Sequence, residues 1–208
     1  MRLIRIAVIA GGLALTAASL EAQNTMLLGL TAGGTYSTMS TSLAGGTPGY
    51  RSTGNGGVTI GMTVSQKFAV EGQALYVAKG FTADTVSGVN TSLSLDYVEL
   101  PLMLTWTPLG RVGMITPRVM VGPSIGFRVG CAFMAVGSGS PLVDCDPQNV
   151  KDFDLAVMGG LGLKIGKGQG GLTIDLRYDY GFVDAAKSSE SFKNRVWLLS
   201  VGYLFAIL

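Results

Sequence analysis

A chain of 208 residues with 15 Lys and Arg against 13 Asp and Glu carries a formal charge of +2, too little to hold a nucleic acid or other polyanion by its field. Charged residues make up 13% and glycine reaches 31 residues, about half and about twice the usual shares. So little charge does not wet an ordinary soluble domain of this length. There is no histidine, which excludes chemistry built on a histidine base.

The first residues read as an export signal. Arg2 and Arg5 make a positive start, Ile6–Ala18 is apolar, and Ala22 offers a small residue before a cut. The apolar run is too short to cross a bilayer as a helix. The expectation is a cleaved signal over residues 1–22 and a single domain over residues 23–208.

From Thr25 onward extended segments follow one another, and no window shows a helical period. The predicted strands are Thr25–Ser37, Gly57–Ser65, Phe68–Gly80, Leu93–Trp106, Thr116–Gly130, Asp152–Ile165, Gly171–Asp184 and Asn194–Phe205. Short turns at Gln66-Lys67, Thr107–Ile115 and Gly166–Gly170 alternate with long polar loops at Thr38–Gly56, Phe81–Ser92, Cys131–Lys151 and Ala185–Lys193. Eight strands with turns on one side and loops on the other predict an all-β fold, an eight-stranded antiparallel up-and-down transmembrane β-barrel.

The seventh predicted strand shows the two faces most clearly. Leu172, Ile174, Leu176, Tyr178, Tyr180 and Phe182 alternate with Thr173, Asp175, Arg177, Asp179 and Gly181, a strict period of two. The other strands repeat it, as in Val98, Leu100, Leu102 and Leu104 against Tyr97, Glu99 and Thr105. A soluble lipocalin-like barrel would put the apolar face inside and the charged face outside. Here nearly all strand charges share one parity, and an Arg placed on lipid costs about 2–4 kcal/mol at mid-depth. The expected orientation is therefore apolar side chains outward on lipid and polar ones inward. Trp106, Phe205 and Phe68 fall near the turn side, and Tyr36, Phe127, Phe153, Phe182 and Trp197 near the loop side, as two interfacial belts would.

The inward set contains Glu71, Lys79, Glu99, Arg118, Arg128, Asp154, Lys164, Asp175, Arg177 and Asp179, five acids and five bases. An eight-stranded barrel is just wide enough for side chains to fill, so the expectation is a paired lumen charge network acting as a plug. Inward Gly122, Gly126, Gly160 and Gly162 would leave room for the long side chains. Pro101 and Pro123 lack the N–H a closed ladder asks for, which predicts a bulge at or beside one of them. Cys131 and Cys145 share the third long loop, and an oxidising exported location predicts a disulfide between them. Gly166–Gly171 fits a dinucleotide fingerprint only formally, since a strand rather than a helix follows; it reads as a turn.

Tyr97-Val98-Glu99-Leu100-Pro101-Leu102-Met103-Leu104, the Gly-rich Met158–Gly162 and the ending Asn194-Arg195-Val196-Trp197 through Val201-Gly202-Tyr203-Leu204-Phe205 together resemble the outer-membrane β-barrel domain family that includes PorT-like proteins. The resemblance covers the chain after the signal. It implies an eight-stranded barrel of the bacterial outer membrane, in a family whose members mostly lack a defined activity; the residues themselves suggest no cofactor, metal or catalytic site. Its partners would be outer-membrane lipid, the barrel insertion machinery and a surface partner met through the long loops. One departure is that the chain continues past Phe205 as Ala206-Ile207-Leu208. The leading expectation is a non-enzymatic barrel with a structural or surface-contact role; the alternatives are a small-solute channel or ligand-binding barrel, and a secreted soluble binding barrel.

Overall fold

The computed structural model describes residues 25–41, 48–84, 90–111, 113–136, 143–144, 151–183 and 192–207; the proposed signal lies outside them. Among the described residues there are nine strands: β1 (Met26–Thr41), β2 (Arg51–Thr63), β3 (Phe68–Asp84), β4 (Asn90–Trp106), β5 (Ile115–Val136), β6 (Val143–Asp144), β7 (Phe153–Ile165), β8 (Gly171–Gly181) and β9 (Phe192–Ile207). All pairings are antiparallel. The eight long strands pair with their neighbours in chain order, and β1 closes on β9 from Met26↔Ile207 to Thr41↔Phe192. The eight long strands thus close on themselves. Two-residue β6 sits against β5 beyond the end of β7.

The orientation follows the period of two. Along β8, Ile174 and Leu176 are 37% and 47% exposed, whereas Asp175 and Arg177 are 2% and 3% exposed. The outward rows of Leu, Val, Ile and Met on the other long strands are likewise exposed. A surface this apolar is stable only against hydrocarbon. Both aromatic groups lie on it, and Tyr50 and Tyr180 join the loop-side group, Tyr50 stacking on Tyr36 with ring centroids 4.4 Å apart.

Several expectations need correction. The strands run further toward the loop side than hydropathy suggests: β2 starts at Arg51 and β5 ends at Val136. Over residues 51–56 every residue is polar or Gly, and beyond Arg128 an extra residue breaks the parity of β5, so the simple apolar alternation stops while the backbone ladder continues. Cys131 is consequently a strand residue, not a loop residue; Cys145 lies outside the described residues.

No register shift occurs at either proline. Pro101 faces Ser124 and Pro123 faces Val157 within unbroken registers. The β3–β4 pairing stops at Leu75↔Glu99 and resumes at Gly72↔Leu102 in the same register, so a missing N–H interrupts the ladder without demanding an extra residue. The bulge lies instead at Val129, where Asp96 faces Gly130 but Tyr97 faces Arg128. One extra residue swaps the faces of β5 beyond that point, and Cys131 packs inward against a cluster of Met39, Leu95 and Tyr97.

The turn over residues 166–170 is a tight Gly-rich connection. Gly168 has φ +71° with open space around it, a conformation that glycine adopts without strain.

Candidate functional site in the layered lumen

Inward residues stack in layers along the barrel axis. On the turn side, Arg118 Nη2 donates to both carboxylate oxygens of Glu71, at 2.9 and 2.8 Å, and Thr105 Oγ1 donates to Glu71 at 3.0 Å. Arg177 donates to Asp175 at 2.9 Å and across the lumen to Gln73 Oε1 at 2.7 Å. Glycines make this layer fit. A Cβ on Gly162 would stand 2.0 Å from Asp175 Oδ1, and one on Gly160 would stand 2.9 Å from Arg177 Cγ.

Below this layer the cations outnumber the acids. Lys164 donates to the carbonyls of Gly166, Gly168 and Gly170, so it holds the turn rather than an acid. Arg111, from the turn after β4, donates to the carbonyls of Ser65 at 2.6 Å and Phe68 at 3.2 Å. Burial pushes its guanidinium below the ordinary arginine range, and neighbouring Glu71 opposes that. The cavity that Arg111, Arg118 and Lys164 line has a volume of about 10 Å³, room for about one water.

The middle of the lumen is apolar. Leu75, Val77, Met103, Met120, Met158, Val196 and Leu198 form one contiguous cluster, none more than 1% exposed. They come from five strands, β3, β4, β5, β7 and β9. The lumen is therefore not the uniformly polar interior that the charge alternation predicted. Each of the seven has inward parity; the charges beside them in sequence draw attention away from them.

On the loop side lies a second charged layer. Lys79 pairs with Glu99, with Asp154 at 3.2 Å and with Asp179 at 2.6 Å, and its ammonium stands 5.2 Å from the centroid of the Tyr97 ring. Asn194 donates to Asp154 at 2.7 Å. All these side chains are fully buried or nearly so. One lysine thus serves three carboxylates, and Glu99 Oε2, Asp154 Oδ1 and Asp179 Oδ1 have no donor among the described residues. The Met39, Leu95 and Tyr97 cluster covers this layer in turn.

The ten predicted charges are thus brought inside but not in five reciprocal pairs. Glu71 with Arg118 and Asp175 with Arg177 form pairs, and Lys79 gathers Glu99, Asp154 and Asp179. Arg128 turns to Asp152 near the loop side, whose side chain is 75% exposed. Sequence reasoning missed Gln73, Tyr97, Asp152 and Asn194 as partners. Parity would have found all but Asp152, which lies just before β7. Chemically the arrangement fixes charge in place but offers no open cleft where a described nucleophile and base converge on a substrate.

The sequence profile of the outer membrane protein beta-barrel domain family matches residues 21–187. No curated protein matches the chain by sequence. Among solved structures, the outer membrane protein OprG of Pseudomonas aeruginosa is similar at a TM-score of 0.53 and 14% identity, over 88% of this chain and 98% of that one. Neisserial surface protein A is similar at a TM-score of 0.47 and 14% identity, over 86% of this chain and 97% of that one. The Escherichia coli outer membrane protein W gives 0.45 and 14%, over 88% of this chain and 100% of that one. At such identity the OprG match speaks for the fold alone.

Proposed function

The chain belongs to the outer membrane protein beta-barrel domain family and is a protein of the bacterial outer membrane, and on that footing we propose that it is a closed, non-enzymatic barrel. Its lumen passes no solute, and it serves the envelope as a structural or surface-contact element through its loop-side rim. The observation that carries this reading is the buried apolar cluster at mid-lumen, with ion-paired layers on both sides. An ion crossing there would shed its water against Leu, Val and Met side chains, and the charged neighbours are already engaged.

The test is conductance. Purified barrel in planar bilayers is expected to give no channel steps at voltages where a porin control opens. Regular unitary steps that vanish on protein removal would overturn the reading and favour the small-solute channel.

Three further expectations belong to the same proposal. Residues 1–22 are removed on export. The insertion machinery reads the final strand, whose outward Tyr203, Phe205 and Ile207 are exposed on the barrel wall. Cys131 and Cys145 form a disulfide, a reading supported by the pairing of Ala132 with Asp144, the residues next to each cysteine in sequence.

A further inference from the structure

Nearly every charge on the strands faces the lumen, but β9 breaks the rule. Lys193 and Arg195 share the outward parity of Trp197 and Leu199, and no other described strand places two cations on that face. Arg195 is held in position. Its guanidinium carbon lies 3.7 Å from the centroid of the Tyr180 ring, and Nη1 donates to the carbonyls of Gly181 at 2.9 Å and Asn194 at 2.8 Å. Among the described residues neither cation has a carboxylate partner. A cation on the hydrocarbon side of a barrel is tolerated only near the interface, where a lipid phosphate supplies the counter-charge.

Toward the membrane centre the same face opens into a groove of about 340 Å³ walled by Tyr36, Leu176, Trp197 and Leu199. It exists because Gly34 points outward with no side chain; a Cβ there would meet nothing nearer than the Thr53 carbonyl at 4.0 Å. Successive pairs on β1 and β9, Thr38↔Arg195, Tyr36↔Trp197 and Gly34↔Leu199, run from the cations past the aromatic walls into the groove. Four residues of strand separate Arg195 from Leu199, roughly 13 Å at the usual rise. Headgroup chemistry above and an apolar channel below follow one line.

We propose that Lys193 and Arg195, with the groove over Gly34 beneath them, bind one phosphorylated lipid of the outer leaflet, its phosphate against the cations and an acyl chain in the groove. The bond is electrostatic at one end and dispersive at the other. The partner is a membrane lipid, not a free anion.

Trp197 reports on the site directly. The chain has two tryptophans, so Trp106→Phe leaves Trp197 as the sole emitter. The barrel is refolded into vesicles containing dibrominated phosphatidylglycerol or dibrominated phosphatidylcholine, and folding is verified by heat-modifiable gel migration. The expected result is that the anionic lipid quenches Trp197 at a lower mole fraction than the zwitterionic one. That preference falls about fivefold for each cation removed in Lys193→Gln and Arg195→Gln. Arg195→Lys retains it; should Arg195→Gln not fold, Lys193→Gln alone supplies the reading. Gly34→Leu weakens quenching by both lipids, whereas Gly72→Leu, which fills a separate outward groove on β3, leaves it unchanged. Equal quenching by the two lipids in the parent, or a preference that survives loss of both cations, would overturn the proposal. So would abolition of the preference by inorganic phosphate at constant ionic strength, which would mark a free-anion site.

Discussion

At the scale of the residue, the lumen distinguishes charges that hold the barrel from charges that only decorate it. Lys79 bridges three buried carboxylates, and removing one partner of a buried ion pair costs about 3–5 kcal/mol because the other charge stays behind. Lys79→Met is expected to lower the unfolding free energy of the vesicle-embedded barrel by about that amount, read as a lower urea midpoint. Arg128→Ala, whose partner Asp152 is largely exposed, should cost less than about 1 kcal/mol. Equal midpoints for the two variants would contradict the account. Steric fit makes a second point. Gly162→Ala pushes a methyl group into Asp175, and overpacking of this kind costs about 1–3 kcal/mol. The same urea titration measures it, and an unchanged midpoint would show that Asp175 has room to move.

At the scale of the element, the strands were legible to the extent that their faces differ chemically. β8 and β7 alternate cleanly and begin within one residue of their predicted starts. β2 and β5 extend six residues beyond their predicted loop-side ends. Residues 51–56 carry no outward hydrocarbon signal, and residues 131–136, though apolar, follow the bulge and fall out of phase with the strand before them. The bulge at Val129 was invisible because an extra residue between Arg128 and Gly130 leaves no compositional mark, whereas the two prolines leave a conspicuous one without shifting the register. Missing that bulge placed Cys131 in a loop. For the disulfide proposed across β5 and β6, the expected outcome is that alkylation of the unreduced protein labels neither thiol and that reduction exposes both. Closing about 15 residues would stabilise the hairpin by roughly 3 kcal/mol on the chain-entropy model. Full labelling without reductant would end that proposal.

At the scale of the whole molecule, parity revealed which charges are inside but not how they divide among layers. Counting five acids and five bases suggested one evenly balanced, paired network. The barrel instead collects three acids around Lys79 on the loop side and surplus cations, Lys164 and Arg111, on the turn side, with apolar side chains between. That division depends on strand stagger, which the order of residues along one strand does not disclose. On the proposed reading it also closes the lumen, because a charged path would be interrupted by apolar side chains at mid-depth. The outer wall carries grooves of about 670 Å³ over Gly72 and about 340 Å³ over Gly34 on its apolar face.

Everything above depends on which face looks at hydrocarbon, and nitroxide scanning along paired strands measures it. Spin labels at Ile174 and Val201, which are register partners, are expected to collide with oxygen in vesicles and to be shielded from a water-soluble nickel chelate. Labels at Thr173 and Ser200, on the opposite face, are expected to be shielded from both. Nickel collisions at Ile174 and Val201 together with oxygen collisions at Thr173 and Ser200 would turn the barrel inside out and contradict the account.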